Sequence, residues 1–196
     1  MPRPNLSNER RAELIGKVAA AFAELGYRRT TTAELARRCG VQEPILYRLW
    51  PDKRAMFIAS LEFVATHSQR IWTEAMAASG KAAAKQTTAE RVLSYEAEHL
   101  GEFGLYRILF AGWSETDDLE IRAALRRVYE LFLEFITVRV REHRSVRDGG
   151  ELPAAEATAW ALLGLGTVIN LGRELDLLPD RARARLFASI GQHLLG

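Results

Sequence analysis

A single cysteine, Cys39, stands in 196 residues, so no internal disulfide can close and no thiol cluster is present for a structural zinc site. Prolines number only six and are scarce inside the periodic stretches, and no β-branched run alternates with polar residues, which removes the pattern of a half-buried strand. The opening stretch MPRPNLSNERR is polar from its start, so no secretory leader is expected and a reducing, cytoplasmic setting is. The longest uncharged run, Ala157 to Gly172, falls short of the roughly 20 residues of a membrane span and carries several glycines and an asparagine. It reads as a helix buried on more than one side. The histidines, His67, His99, His143 and His193, share no metal-ligand spacing with one another or with Cys39, and no phosphate-cradling glycine loop occurs. Carboxylate pairs such as Asp117 and Asp118 fall at helix starts, where the helix dipole already accounts for them. The expectation is therefore no enzyme, no cofactor and no metal.

What is present is an apolar share of 48%, enough for one or two domains with a real core, and a charge that is unevenly spread. Residues 1–54 carry 11 Lys/Arg against 6 Asp/Glu, a balance of +5, while residues 55–196 carry 16 against 19, a balance of −3. A small basic head on a mildly acidic body has the charge pattern of a phosphate-binding module joined to a regulatory one.

Apolar residues recur at three and four, and the chain reads as all-α with about nine helices. The first is expected to start after Ser7 or Asn8, to align Leu14, Ile15, Val18, Ala19, Phe22 and Leu25, and to stop at Gly26. Thr31 with Glu34 has capping-box spacing for a short second helix ending near Arg38. Gly40 then supplies the left-handed backbone of a sharp turn, and Val41 fills its angle. Pro44 fits only in a first helical turn, so a third helix begins at Gln42 or Glu43, and Pro51 ends it by Trp50. Leu46 plugs the shared core, and Gln42, Glu43, Ile45, Tyr47 and Arg48 face away from it. That is the geometry of a helix-turn-helix whose second helix enters a major groove.

Phe22, Gly26, Tyr27, Thr31, Leu35, Ala36, Gly40, Val41, Leu46, Tyr47, Trp50 and Lys53, in this order, carry a resemblance over residues 10–60 to the tetracycline-repressor-like (TetR) family of bacterial transcription regulators. The resemblance implies a DNA-binding head of residues 1–52 and an effector-binding and dimerisation domain of residues 53–196. It implies that Thr31, with adjacent amides such as that of Thr32, holds a backbone phosphate, that Tyr47 and Lys53 take two more, and that Arg28 and Arg29 add backbone contacts. Arg48 suits guanine or phosphate and Gln42 suits adenine. Three positions on the recognition helix depart from the family pattern around Pro44: Gln42 stands where serine is frequent, Glu43 where a basic residue is common, and Ile45 where threonine often stands. Glu43 either accepts from a cytosine amine or points aside to favour the helix dipole, and Ile45 either meets a thymine methyl or joins the core.

Beyond the head, a long fourth helix opened by Asp52 is expected to reach Gly80, followed by the connecting loop GKAAAKQTT. Thr87 and Glu90 repeat the capping-box spacing for a helix to about Gly101, and a short helix spans Phe103 to Trp113. Asp117 or Thr116 caps a long helix to His143; the break SVRDGG, a helix from Pro153 to Arg173 and a last one from Asp180 to Leu195 complete the chain. The resemblance implies an effector cavity, for which Tyr95, His99, Phe103, Tyr106, Phe110, Trp113, Tyr129, Phe132, Trp160, Thr167 and Asn170 are the candidates, suited to a small apolar or aromatic molecule. It also implies a two-fold four-helix bundle, for which Ala161, Gly164, Leu165, Val168, Leu186, Ile190 and Leu194 offer small and apolar faces. The expected function is a homodimeric, ligand-responsive repressor of a palindromic operator in double-stranded DNA, away from any membrane. The rival reading is a small-molecule-binding or protein-interaction module that no longer reads DNA, kept open by Gln42 and Glu43.

Overall fold

Apolar spacing and end signals resolve into nine α-helices, with no strand, among the residues that the computed structural model describes, 6–77, 85–99, 101, 104–146 and 153–196. They are α1 (Leu6–Leu25), α2 (Thr32–Cys39), α3 (Glu43–Leu49), α4 (Lys53–Met76), α5 (Thr88–His99), α6 (Arg107–Trp113), α7 (Leu119–Ser145), α8 (Ala155–Glu174) and α9 (Asp180–Leu195). Phe103, the loop stretch 80–84, and all but the first two residues of SVRDGG lie outside the described residues.

The chain divides into two compact units, residues 1–67 with 103–128 and residues 68–102 with 129–196, so α4 and α7 each contribute to both. Residues 1–52 fall wholly inside the first. Its core gathers Val18, Phe22, Leu35, Leu46, Phe57 and Leu61, none of them accessible to water. Phe22 meets Phe57 edge-on with ring centres 5.0 Å apart, and Tyr27 leans on Phe57 at the same distance. Truncating a side chain so enclosed costs about 2–5 kcal/mol. In the second unit Ala89, Leu93, Val140, Ile169, Phe187 and Leu195 form the core, and Trp72 packs on Phe132 and Phe135 at 5.4 and 4.9 Å.

Several helix ends differ from expectation, each for a local reason. Helix α1 already includes Leu6, ahead of Ser7 and Asn8. Gly104, at φ +64°, and the turns after it delay α6 to Arg107. Neither Asp117 nor Thr116 caps α7: Asp118 Oδ1 accepts from the amides of Glu120 and Ile121 at 2.9 and 3.1 Å, while the Thr116 hydroxyl donates back to the Trp113 carbonyl and closes α6. The Thr87–Glu90 box forms in full, with Thr87 N–H on the Glu90 carboxylate at 2.7 Å and Glu90 N–H on the Thr87 hydroxyl at 3.3 Å. The Thr31–Glu34 box forms only by half. Thr31 accepts from the Glu34 amide at 3.2 Å, but the Glu34 carboxylate turns to Arg37 and Arg38 instead of reaching back.

Candidate nucleic-acid interface

Gly40 sits at φ +70°, and no atom would crowd a Cβ there, so backbone conformation and not space calls for glycine. The turn it makes returns the Gly40 amide to the Arg37 carbonyl at 3.2 Å and the Val41 amide to the Ala36 carbonyl at 3.0 Å, which satisfies the end of α2. Gln42 opens α3 with extended backbone and no side-chain cap bond, as its poor capping chemistry leads one to expect. At the other end Trp50 N–H closes on the Leu46 carbonyl at 2.8 Å, and Arg11 Nε donates to the Leu49 carbonyl at 2.7 Å, pinning α3 to α1. Arg11 was not legible as a positioning residue, because nothing in its own neighbourhood points to a partner 38 residues on.

With Leu46, Leu49 and Trp50 buried, α3 presents Gln42, Pro44, Tyr47 and Arg48 to solvent, and Tyr47 is 49% exposed. Glu43 and Ile45 are half-buried at the edge of that face, so Ile45 belongs partly to the core and partly to the surface. Thr32 Oγ1 donates to the Glu43 carboxylate at 2.6 Å and accepts from the Tyr47 hydroxyl at 3.2 Å. Three of the expected DNA contacts therefore meet in one chain of hydrogen bonds, and the Glu43 carboxylate is turned onto the first turn of α2.

The basic residues differ in how free they are. Lys53 Nζ donates to the carbonyls of Tyr27 and Thr30, each at 3.2 Å, and lies 4.5 Å from the centre of the Tyr27 ring, so it anchors the loop before α2. Arg28 Nε donates to both oxygens of Glu115 at 2.9 and 3.1 Å, although the arginine remains 75% exposed. Arg38 bridges Glu24 of α1 and Glu34 of α2. Arg29 and Arg48 stand exposed.

Hydrogen bonds from Arg37 first, and then Arg38, hold the Glu34 carboxyl down to about 2. A carboxyl lowered on folding adds stability that is fully present above its unfolded value and fades as pH falls toward the folded one. Glu34 is thus expected to titrate near pH 2 when followed by the chemical shift of its side-chain carboxyl carbon. A midpoint in the ordinary range near 4.5 would show that the two arginines do not hold it in solution. Cys39 is buried in the turn, and burial pushes its thiol up, away from the reactive thiolate.

The sequence pattern of the family described as bacterial regulatory proteins, tetR family, matches residues 17–60, from the middle of α1 into α4. A longer similarity is that to the nucleoid occlusion factor SlmA of Alteromonas mediterranea, 30% identical over 161 residues, 80% of this chain and 78% of that protein. This chain belongs to the tetR family of bacterial regulatory proteins. A TetR-family transcriptional regulator from Cytophaga hutchinsonii has the same fold, with a TM-score of 0.78 at 17% identity over 97% of this chain and 95% of that one. So does the regulator FadR from Bacillus subtilis, solved in complex with stearoyl-CoA, with a TM-score of 0.71 at 16% identity over 94% and 97%. As a tetR-family member the chain is a DNA-binding transcriptional regulator and not an enzyme. Among the described residues no helix is long and apolar enough to cross a membrane.

The ring-bearing candidates of this tetR-family chain fall into separate groups. Tyr106, Phe110 and Trp113 belong to the first unit and meet edge to face at 6.2 and 6.4 Å, with Trp113 half-exposed. In the second unit Tyr95 stacks on His99 with ring centres 4.2 Å apart, and Tyr129 meets the buried Phe132 at 6.5 Å. The Thr167 hydroxyl donates to the Leu163 carbonyl of its own helix at 2.9 Å, whereas Asn170 is buried with its Oδ1 lacking any partner. Trp160 stands apart, 64% exposed on α8. It shares that exposure with Ala161, Gly164, Val168 and Leu171, and on α9 with Leu186 and Ile190, while Leu194 is half-buried and Leu165 packs against the inner core.

Proposed function

We propose that this regulator is a repressor that binds a palindromic operator as a homodimer in the cytoplasm and lets go when a small apolar or aromatic effector enters its second unit. The exposed face of α3 around a fully buried Leu46 carries the reading: Gln42, Tyr47 and Arg48 project from a short helix locked at both ends. The Thr32–Glu43 bond speaks against the rival in which DNA reading is lost, because it turns the one carboxylate of α3 aside from the phosphates that a recognition helix must approach. The outer stripe of α8 and α9, with Val168 65% exposed, is the apolar surface a two-fold mate covers. Two heads related by that axis suit half-sites one helical turn or more apart. An effector works by favouring the state whose two α3 helices do not fit that spacing, to the extent that it binds that state more tightly.

Fluorescence anisotropy of the protein against duplexes from upstream of its own gene, titrated across salt with random duplex as competitor, tests the reading. One fragment should outcompete random duplex, with affinity falling as salt rises. Arg48→Ala should weaken that fragment by roughly 10- to 100-fold, the scale of one lost base or phosphate pair. No duplex binding even at low salt would remove the repressor reading. The similarity to a nucleoid occlusion factor over 80% of this chain supports a second reading, a role in nucleoid occlusion. Septa placed normally in a deletion strain would leave the repressor reading standing alone.

A further inference from the structure

The hydrogen bonds around Thr32 have a direction. The Glu43 carboxylate can only accept, so its 2.6 Å bond takes the proton of the Thr32 hydroxyl, which has no second one. The Tyr47 hydroxyl is then the donor across the 3.2 Å to Thr32 Oγ1, and its single proton is spent as well. What Tyr47 presents beyond this chain is an oxygen with lone pairs and no hydrogen. It belongs to a side chain that is 49% exposed on the outer face of α3. Helical side chains lean toward the N-terminus of their helix, and the link through Thr32 to Glu43, the first residue of α3, shows Tyr47 leaning that way. The N-terminal turn of a recognition helix is the part that meets base edges.

We propose, resting on the reading of α3 as a recognition helix, that Tyr47 reads a base and not a phosphate: its hydroxyl oxygen accepts from the exocyclic amine of an adenine or a cytosine in the major groove. The phosphates of DNA offer acceptors only, and the donors along the major groove are the N6 amine of adenine and the N4 amine of cytosine. An oxygen without a proton to give has those two partners on duplex DNA. Charge favours the same choice. At 3.2 Å the tyrosine bond is the longer of the two, and turning its proton to a phosphate costs little by itself. A phosphate drawn to that oxygen, however, comes near the Glu43 carboxylate, two hydrogen bonds away, and is repelled by it. An amine instead turns the positive end of its N–H toward both. Glu43 is thus a positioning residue and Tyr47 the reader, so the carboxylate at the start of α3 has a task without touching DNA.

Selection of bound sequences from a pool of random duplexes, with the full chain and with Tyr47→Phe, tests this. The parent should enrich a motif in which one position of each half-site is fixed as an A·T or a G·C pair, and Tyr47→Phe should lose the preference at that position while keeping the rest of the motif. Whether the fixed pair is A·T or G·C tells adenine from cytosine. In anisotropy titrations Tyr47→Phe, which removes one exposed oxygen and leaves the fold intact, should bind the selected duplex about three- to tenfold more weakly and bind a duplex changed at that position as well as the parent does. Glu43→Gln keeps a carbonyl oxygen to accept from Thr32 and should keep the preference, whereas Glu43→Ala should lose it, because the protons it frees let Tyr47 donate to phosphate. Equal weakening of every duplex by Tyr47→Phe, the mark of a lost phosphate contact, would overturn the proposal. So would a motif that Tyr47→Phe leaves unchanged, or a preference that survives Glu43→Ala. Those results leave the operator reading standing; a parent protein that enriches no motif would remove that reading and this proposal together.

Discussion

Val168→Asp is expected to leave the protein monomeric and to weaken operator binding at least about 100-fold, with its helical content unchanged. Val168 is 65% exposed on α8 and supports nothing in its own unit, so the folded monomer barely notices the change. In a two-fold dimer the same patch faces itself, and a residue near the axis meets its own copy. In the proposed dimer the substitution would therefore place two carboxylates against the apolar surface of Trp160, Gly164 and Leu171. An uncompensated buried charge costs about 3–5 kcal/mol, more than enough to separate the pair at micromolar concentration. Sedimentation velocity reads the mass, anisotropy the operator affinity and circular dichroism the fold. A variant that still sediments as a dimer would move the interface off this face of α8.

Gly191→Val should lower the melting temperature by about 6–12 °C, the largest stability loss expected of any single glycine replacement in the second unit. A Cβ at Gly191 would stand 2.3 Å from Leu93 Cδ1, 3.0 Å from its Cδ2 and 3.2 Å from its Cγ. The whole end of the leucine is in the way, and Leu93 is itself buried in the core with Val140 and Phe187. Helices α5 and α9 can pack at this distance only while position 191 has no side chain. Overpacking of this kind costs about 1–3 kcal/mol, and the branched valine places the result at the upper end. Leu93→Ala added to the variant should recover part of the loss, because it vacates the contested space. Differential scanning calorimetry of the two single variants and the double one gives the coupling. A melting temperature within about 1 °C of the parent for Gly191→Val would mean that α5 and α9 do not approach as described.

The head was legible because its signals are covalent or local. Proline at 44 has no amide to offer a helix interior, glycine at 40 is needed for one positive φ, and Thr31 reaches an amide three residues on. Each is decided by neighbours within a turn or two. What was not legible lies where two local solutions compete or where distant chain ends meet. Glu34 has capping-box spacing, yet two arginines on its own helix offer stronger, charge-assisted partners. Asp117 and Asp118 are adjacent and alike in chemistry, and only backbone direction selects the second as the cap. The aromatic residues are hard to read for a related reason, for ring character marks burial without saying against what. Trp160 shows this most plainly: offered as a cavity-lining candidate, it stands 64% exposed on α8.

Charge counted along the chain overstates what the head has to offer a nucleic acid. Lys53 already holds two carbonyls, Arg11 a third, and Arg28, Arg37, Arg38 and Arg54 are matched with carboxylates. A cation so matched is partly neutralised before a phosphate arrives and releases fewer ions than a free one. The number of counterions released on operator binding, and hence the steepness of its dependence on salt, is expected to follow the exposed pair Arg29 and Arg48 and the helix-end amides more closely than the eleven basic residues of positions 1–54. Such a regulator is expected to recognise DNA by fit more than by pull and to grip random sequence weakly for a protein of its charge.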